Sequence, residues 1–275
     1  MLTDYGCPAD QSTVSSVTNT EAFGQQDVSI NCEPASPSLV AALSKAVTPT
    51  ARRFLVALLV AASALSWGAR ANADVPPLGA EARAAGFVDV RTVVPSALID
   101  LRYATPNNFT GAPLYPADAR CLVHESMASG LAAAADALRR QADVLVFWDC
   151  YRPHDVQVKM FQVVPNPAWV ARPGPYARSH ESGRSVDVTM AGAQCPAERQ
   201  ARQGCLVDMG TDFDDFTPRA LAYATDGVSA NAQANRARLR DAMSAGGLTV
   251  YSGEWWHFDG PGASVDRPIF DVPVN

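Results

Sequence analysis

Two short stretches, far apart in the chain, carry residue types that do chemistry together. One reads Ser179-His180-Glu181-Ser182-Gly183-Arg184-Ser185-Val186-Asp187, the other Gly253-Glu254-Trp255-Trp256-His257-Phe258. Between them they supply two imidazoles, His180 and His257, and the carboxylate of Asp187. That set suits one zinc ion per chain, because three protein ligands with an open fourth position is the usual plan of a catalytic zinc site. Glu254 is spaced to take a proton from a water nucleophile rather than to act as a ligand. Arg152, just past an apolar run, can donate two hydrogen bonds to an oxyanion. Each signal is weak alone: an Asp seven residues after a His is common, and Trp255-Trp256-His257 also reads as an aromatic core strand. The combination points to a metal centre.

The elements that must position these residues follow from pattern. In a strand over 185–190, Ser185, Asp187 and Thr189 face one way and Val186, Val188 and Met190 the other, so Asp187 turns to the cleft. Gly183 allows the chain to bend between His180 and that strand. A strand over 248–251 delivers the second stretch. In a regular strand Glu254 and His257 would face opposite sides, so a bulge or turn is required, and Gly253 permits one. Upstream, 74–86 reads as a linker and 87–104 as extended segments broken by Pro95, with a strand over 97–103. Residues 121–141 carry a helical pattern, 144–148 a buried strand, and 154–163 a helix opened by Pro153. A Pro-rich loop covers 165–175 and a long connection 192–216. A helix over 231–245 ends at Gly246-Gly247. The sum predicts an α+β fold: a single compact domain with a mixed or antiparallel sheet, flanking helices and the zinc site in a cleft.

The 275 residues are 48% hydrophobic and 18% charged, enough to bury a core. Net charge is −6 and the only lysines are Lys45 and Lys159, so nothing points to nucleic acid. Residues 1–47 are a polar, Ser/Thr/Asn-rich extension of disorder-like composition, or lie upstream of the true start. Arg52-Arg53, an uncharged run over 54–67 and Ala71-Asn72-Ala73 make a signal peptide over 48–73, with cleavage before Asp74. The run is shorter than the roughly 20 apolar residues of a membrane span, so no permanent anchor remains and the mature domain, 74–275, is exported to the periplasm or beyond. An oxidising compartment favours disulfides. Cys195 and Cys205 bracket a polar loop and are the favoured pair, with Cys121–Cys150 as the corollary; free buried thiols are the alternative.

These residues resemble the D-alanyl-D-alanine dipeptidases, the metallopeptidase family that includes the vancomycin-resistance enzyme. Five blocks in the same order carry the resemblance, from about Val94 to Pro273. They are Asp100-Leu101-Arg102-Tyr103-Ala104-Thr105 with Asn108-Phe109-Thr110-Gly111; Trp148-Asp149-Cys150-Tyr151-Arg152-Pro153; His180 with Gly183 and Asp187; Met209-Gly210-Thr211 with Phe213-Asp214; and Glu254-Trp255-Trp256-His257. The resemblance implies zinc on His180, Asp187 and His257, Glu254 as base, Arg152 as transition-state stabiliser, and Tyr103 and Asp214 around the substrate's amino end. It implies a small dipeptide substrate, D-Ala-D-Ala, in cell-wall turnover. Two positions depart from the family pattern. Arg178 stands where a Ser is usual, with Ser179 beside it, and the two are candidates for the substrate's carboxylate end. Ser185 stands where Ala is common, a change that alters packing. The loop between Arg152 and His180 is shorter than in the resistance enzyme, which widens access. Competing readings are a peptidoglycan D,D- or L,D-carboxypeptidase and a non-catalytic zinc-binding module of the same fold. His124 and His154 match no block and read as structural or solvent-exposed.

Overall fold

The computed structural model describes residues 75–275, so the N-terminal extension, the signal peptide, Cys7, Cys32 and the cleavage point before Asp74 lie outside the described residues. The chain runs α1 (Ala80–Ala84), β1 (Phe87–Asp89), α2 (Val90–Val93), β2 (Leu98–Ile99), β3 (Leu122–His124), α3 (Ala128–Arg139), β4 (Asp143–Asp149) and α4 (His154–Val163). It continues with β5 (Ser185–Gly192), α5 (Arg199–Gln203), α6 (Ala230–Ala245), β6 (Thr249–Val250) and β7 (His257–Asp259). Five strands form one sheet in the order β2-β4-β5-β7-β6, and β1 pairs with β3 apart from it. Only β2 and β4 are parallel; the other pairs are antiparallel. The domain is α+β with a mixed sheet.

Pairing sets the two faces of the sheet. Leu145 opposes Met190, Phe147 opposes Val188 and Val186 opposes Phe258, giving a fully buried apolar face. The other face carries Thr189, Asp187 and Ser185 on β5, with His257 and Asp259 opposite them on β7. All eight residues of β5 are at least half-buried, so the polar ones need partners or a function. Helix α3 packs against β4 and α6. Its contact with the end of α6 is backbone to backbone: a Cβ on Gly130 would stand 2.5 Å from the Gly246 carbonyl oxygen, so neither glycine can be replaced without moving the helices apart.

Several local expectations are corrected. The stretch 74–86 is not wholly a linker, since α1 lies inside it. The strand over 97–103 shrinks to Leu98–Ile99, and Arg102–Ala104 turn into a 3₁₀ helix that sends Tyr103 inward. The helical pattern of 121–141 begins late, because Leu122–His124 are a strand paired with β1. The connection 192–216 contains the short α5. The helix over 154–163 has the expected bounds, with Pro153 as the residue that caps it. Cys121 is bonded to Cys150 and Cys195 to Cys205, as an oxidising compartment allows. Among the described residues no helix is long and apolar enough to cross a membrane.

Candidate metal centre

Asp187 and His257 are direct cross-strand partners on β5 and β7, and Asp187 also opposes Asp149 on β4. Strand alternation would put Asp149 on the other face. The register shifts between Phe147 and Asp149, so Trp148 and Asp149 together oppose one residue, and this bulge turns Asp149 to the side of Asp187. His180 arrives from the 3₁₀ turn Ser179–Ser182, which ends at Gly183 with φ +65°. A Cβ there would stand 2.3 Å from the Phe87 ring, so only glycine closes this turn onto β5.

Three atoms converge. His180 Nε2 lies 3.0 Å from His257 Nδ1 and 3.2 Å from Asp187 Oδ1, and His257 Nδ1 lies 3.1 Å from the same oxygen. Ligand atoms about 2.0–2.1 Å from one tetrahedral ion stand roughly 3.3 Å apart, so the triangle is of the right size for a shared cation. The tautomers agree. His180 Nδ1 donates to the Cys150 carbonyl at 2.8 Å, which leaves the Nε2 lone pair for the centre. His257 Nε2 donates to Asp259 Oδ1 at 3.1 Å, which frees Nδ1. Ser185 in turn donates its hydroxyl to Asp259, so the Ser at this position does more than alter packing: it fixes the carboxylate that orients His257. Burial opposes ionisation of Asp187, yet His180 and His257 hold its carboxyl well below the usual range. Burial also disfavours a charged His257, but Asp187 and Asp259 raise its pKa to about 10. The three acceptors thus attract positive charge strongly, and two imidazoles with one carboxylate are a fitting donor set for a divalent metal.

Around this triangle lies a cleft of about 520 Å³. Glu254 borders it from the hairpin loop 251–256 between the paired β6 and β7. The loop is the turn that the Glu254–His257 spacing required; Glu254 N–H donates to the Tyr251 carbonyl, and its Oε2 is 3.9 Å from His257 Nδ1, beside the triangle rather than in it. Burial pushes the Glu254 carboxyl up, and Asp187 adds to that, while His257 and His180 pull it back. Arg152 is held by two bonds to Asp149 Oδ2, at 2.9 and 2.6 Å, and one from Nη1 to Gln157 Oε1 at 2.7 Å. Three of its five N–H donors are used, which leaves one on each Nη. Burial disfavours its charge, but Asp149 keeps the guanidinium well above its ordinary pKa. Tyr103 donates to Asp214 Oδ2 at 2.9 Å. Burial, then the negative charges of Asp187 and Glu254, push Asp214 well above the carboxylate range. A cation arriving there would relieve that repulsion.

The family model for D-ala-D-ala dipeptidase matches residues 83–275. The chain belongs to this family. It is a metallopeptidase. It is 33% identical over 178 residues to the D-alanyl-D-alanine dipeptidase of Escherichia coli (strain K12), covering 65% of this chain and 86% of that one. It is 30% identical over 214 residues to the D-alanyl-D-alanine dipeptidase of Enterococcus faecium, covering 69% and 98%. The protein of that name from Streptomyces coelicolor is 30% identical over 207 residues, covering 68% and 98%.

The cleft brings together His180, Asp187, His257, Glu254, Arg152, Tyr103, Asp214, Arg178 and Ser179. Arg178 stands at the rim, its side chain 60% exposed and paired through Nε with Asp266. Ser179 has φ +46°, and its Oγ is 3.4 Å from His257 Nε2. His154, read as structural, pairs with Glu181 beside His180 at 2.5 Å, and His124 contacts the Arg184 guanidinium. Three supporting residues escaped sequence reasoning. Asp259 sits two after His257, so alternation alone would have placed it on the same face. Asp149 lies within a block already singled out. Gln157 gave no signal beyond its place one turn into α4.

Proposed function

We propose that this chain is an exported, zinc-dependent dipeptidase that splits D-alanyl-D-alanine into two D-alanines in cell-wall peptide turnover. The observation that carries the reading is the meeting, in one cleft, of the His180–Asp187–His257 triangle with Glu254 beside it and the two spare N–H groups of Arg152. The activity for which the relatives are named supports the substrate. His180, Asp187 and His257 hold the zinc, which when bound supplies Lewis acidity towards the peptide carbonyl. Glu254 takes a proton from the attacking water and returns it to the leaving amine. Arg152 donates to the oxygen that gains charge, and its geometry is set beforehand by Asp149 and Gln157. Tyr103 and Asp214 receive the substrate ammonium.

The test is an assay of residues 74–275 with zinc, offered D-Ala-D-Ala, L-Ala-L-Ala and a pentapeptide ending in D-Ala-D-Ala. Cleavage of the first alone supports the dipeptidase; release of D-Ala from the pentapeptide alone replaces it with a carboxypeptidase. Export predicts a mature protein starting at Asp74, which N-terminal sequencing checks; a start within 1–47 contradicts it.

Arg178 and Ser179 border the end of the cleft assigned to the substrate carboxylate. Asp266 already neutralises part of the Arg178 charge, and the pair is exposed. Arg178→Ser is therefore expected to raise KM for D-Ala-D-Ala only about 2–5-fold, the range of an exposed ion pair, with a smaller change in kcat. An amidated dipeptide should be insensitive. Equal losses for acid and amide would leave Arg178 with no carboxylate contact.

A further inference from the structure

The cleft is larger than two alanine residues need. Clefts of about 300–1,000 Å³ hold drug-sized ligands, and the 520 Å³ found here falls well inside that range. Part of its lining is aromatic. Arg152 Nη2 is 3.8 Å from Asp187 Oδ2, and its guanidinium lies 5.4 Å over the Tyr103 ring. Tyr103 packs edge-on against Phe109 at 6.2 Å, and Phe109 against Phe216 at 5.2 Å. Phe216 stacks on Trp169 at 5.6 Å. These contacts join four rings into one continuous aromatic succession, from Tyr103 to Trp169. Phe109, Trp169 and Phe216 are each only partly buried and all border the cleft. Their free faces are apolar surface that gains when an apolar group covers it. The wall starts at Tyr103, the residue that donates to Asp214, so it adjoins the place of the substrate amine.

We infer that, beside the D-Ala-D-Ala it cleaves, this chain prefers dipeptides whose amino-terminal residue, the one whose amine meets Tyr103 and Asp214, carries a larger apolar side chain, of leucine or phenylalanine size, seated on Phe109, Trp169 and Phe216. The inference rests on the dipeptidase reading and names its preferred substrate class. A methyl group is too short to cover three rings. A longer peptide is disfavoured, because an acylated amine would lose its charge beside Asp214 and Glu254.

The zinc-loaded protein is compared on D-Ala-D-Ala, D-Leu-D-Ala, D-Phe-D-Ala and N-acetyl-D-Leu-D-Ala. Because one methylene in an apolar pocket is worth roughly 10–200-fold, kcat/KM for D-Leu-D-Ala is expected to exceed that for D-Ala-D-Ala by about 10-fold or more. Trp169→Ala and Phe216→Ala should each cut the ratio of the two by about 10-fold. The ratio is read within one preparation, so D-Ala-D-Ala turnover in each variant also reports folding. D-Leu-D-Ala and D-Phe-D-Ala cleaved no faster than D-Ala-D-Ala, or a ratio unmoved in both variants, would each overturn the inference while leaving the dipeptidase reading standing; a preferred acetylated peptide would overturn both. Failure to cleave any of the four would remove both.

Discussion

His180→Ala and His257→Ala are each expected to abolish stoichiometric metal binding and, with it, all peptidase activity. The three proposed ligand atoms stand within 3.0–3.2 Å of one another, so each supplies a third of one small, buried triangle. Losing even a group that only supports a ligand costs about 10–100-fold in metal affinity, and losing a ligand costs more. The two substitutions leave different scars. His180→Ala strips the Cys150 carbonyl of its donor, and an orphaned buried acceptor costs about 1–3 kcal/mol. His257→Ala instead leaves Asp187 and Asp259 without the imidazole between them. The measurement is zinc per chain after dialysis against metal-free buffer, with circular dichroism to confirm a folded chain. A full equivalent of zinc retained by either folded variant would refute the assignment.

Much of this centre was legible because its residues lie on short, patterned elements. Alternation in 185–190 put Asp187 on the polar face of β5, and the spacing of Glu254 and His257 demanded a turn, which is the hairpin loop 251–256. What could not be read depends on contacts between distant segments. Asp149 reaches the face of Asp187 only through a bulge, and a bulge is a property of the register between two strands. The late start of α3 has the same origin. Leu122 fits the helical period, but pairing of Leu122–His124 with Phe87–Asp89 claims it for a strand. The strand over 97–103 ends early because Arg102 and Tyr103 are needed elsewhere. Arg102 joins the buried Asp100, and Tyr103 bonds Asp214. Phe109 stood in a block already singled out, but its meeting with Trp169 and Phe216 was illegible for a plainer reason: the three come from three loops with no pattern in common. Ser185 shows the opposite error. Its place in the strand was clear, but its hydroxyl partner, Asp259, is cross-strand and emerges only from the pairing of β5 with β7.

Glu254→Ala is expected to keep the metal and lose turnover, which separates the base from the ligands. The carboxylate lies 3.9 Å from His257 Nδ1 and stems from the hairpin loop, whereas the nitrogen and oxygen donors of the triangle come from β5, β7 and the 3₁₀ turn before β5. Removing it therefore leaves the triangle intact. Burial and the neighbouring Asp187 raise its proton affinity, the direction a general base needs if it is to accept a proton from water and still release it to an amine. General acid–base help is worth about 10²–10⁴-fold, so kcat should fall by that factor at unchanged zinc content. Glu254→Gln fills the same space without a proton acceptor of useful strength and should match the alanine variant, which rules out loss of packing as the cause. Glu254→Asp withdraws the carboxylate by one methylene and should fall between wild type and Glu254→Gln. The loop itself should survive all three changes, since it is held by the Glu254 N–H to Tyr251 carbonyl bond and by buried Trp255 and Trp256. A Glu254→Gln protein retaining more than about a tenth of wild-type kcat would remove Glu254 from the role of base. Loss of zinc in that variant would instead make Glu254 part of the metal site.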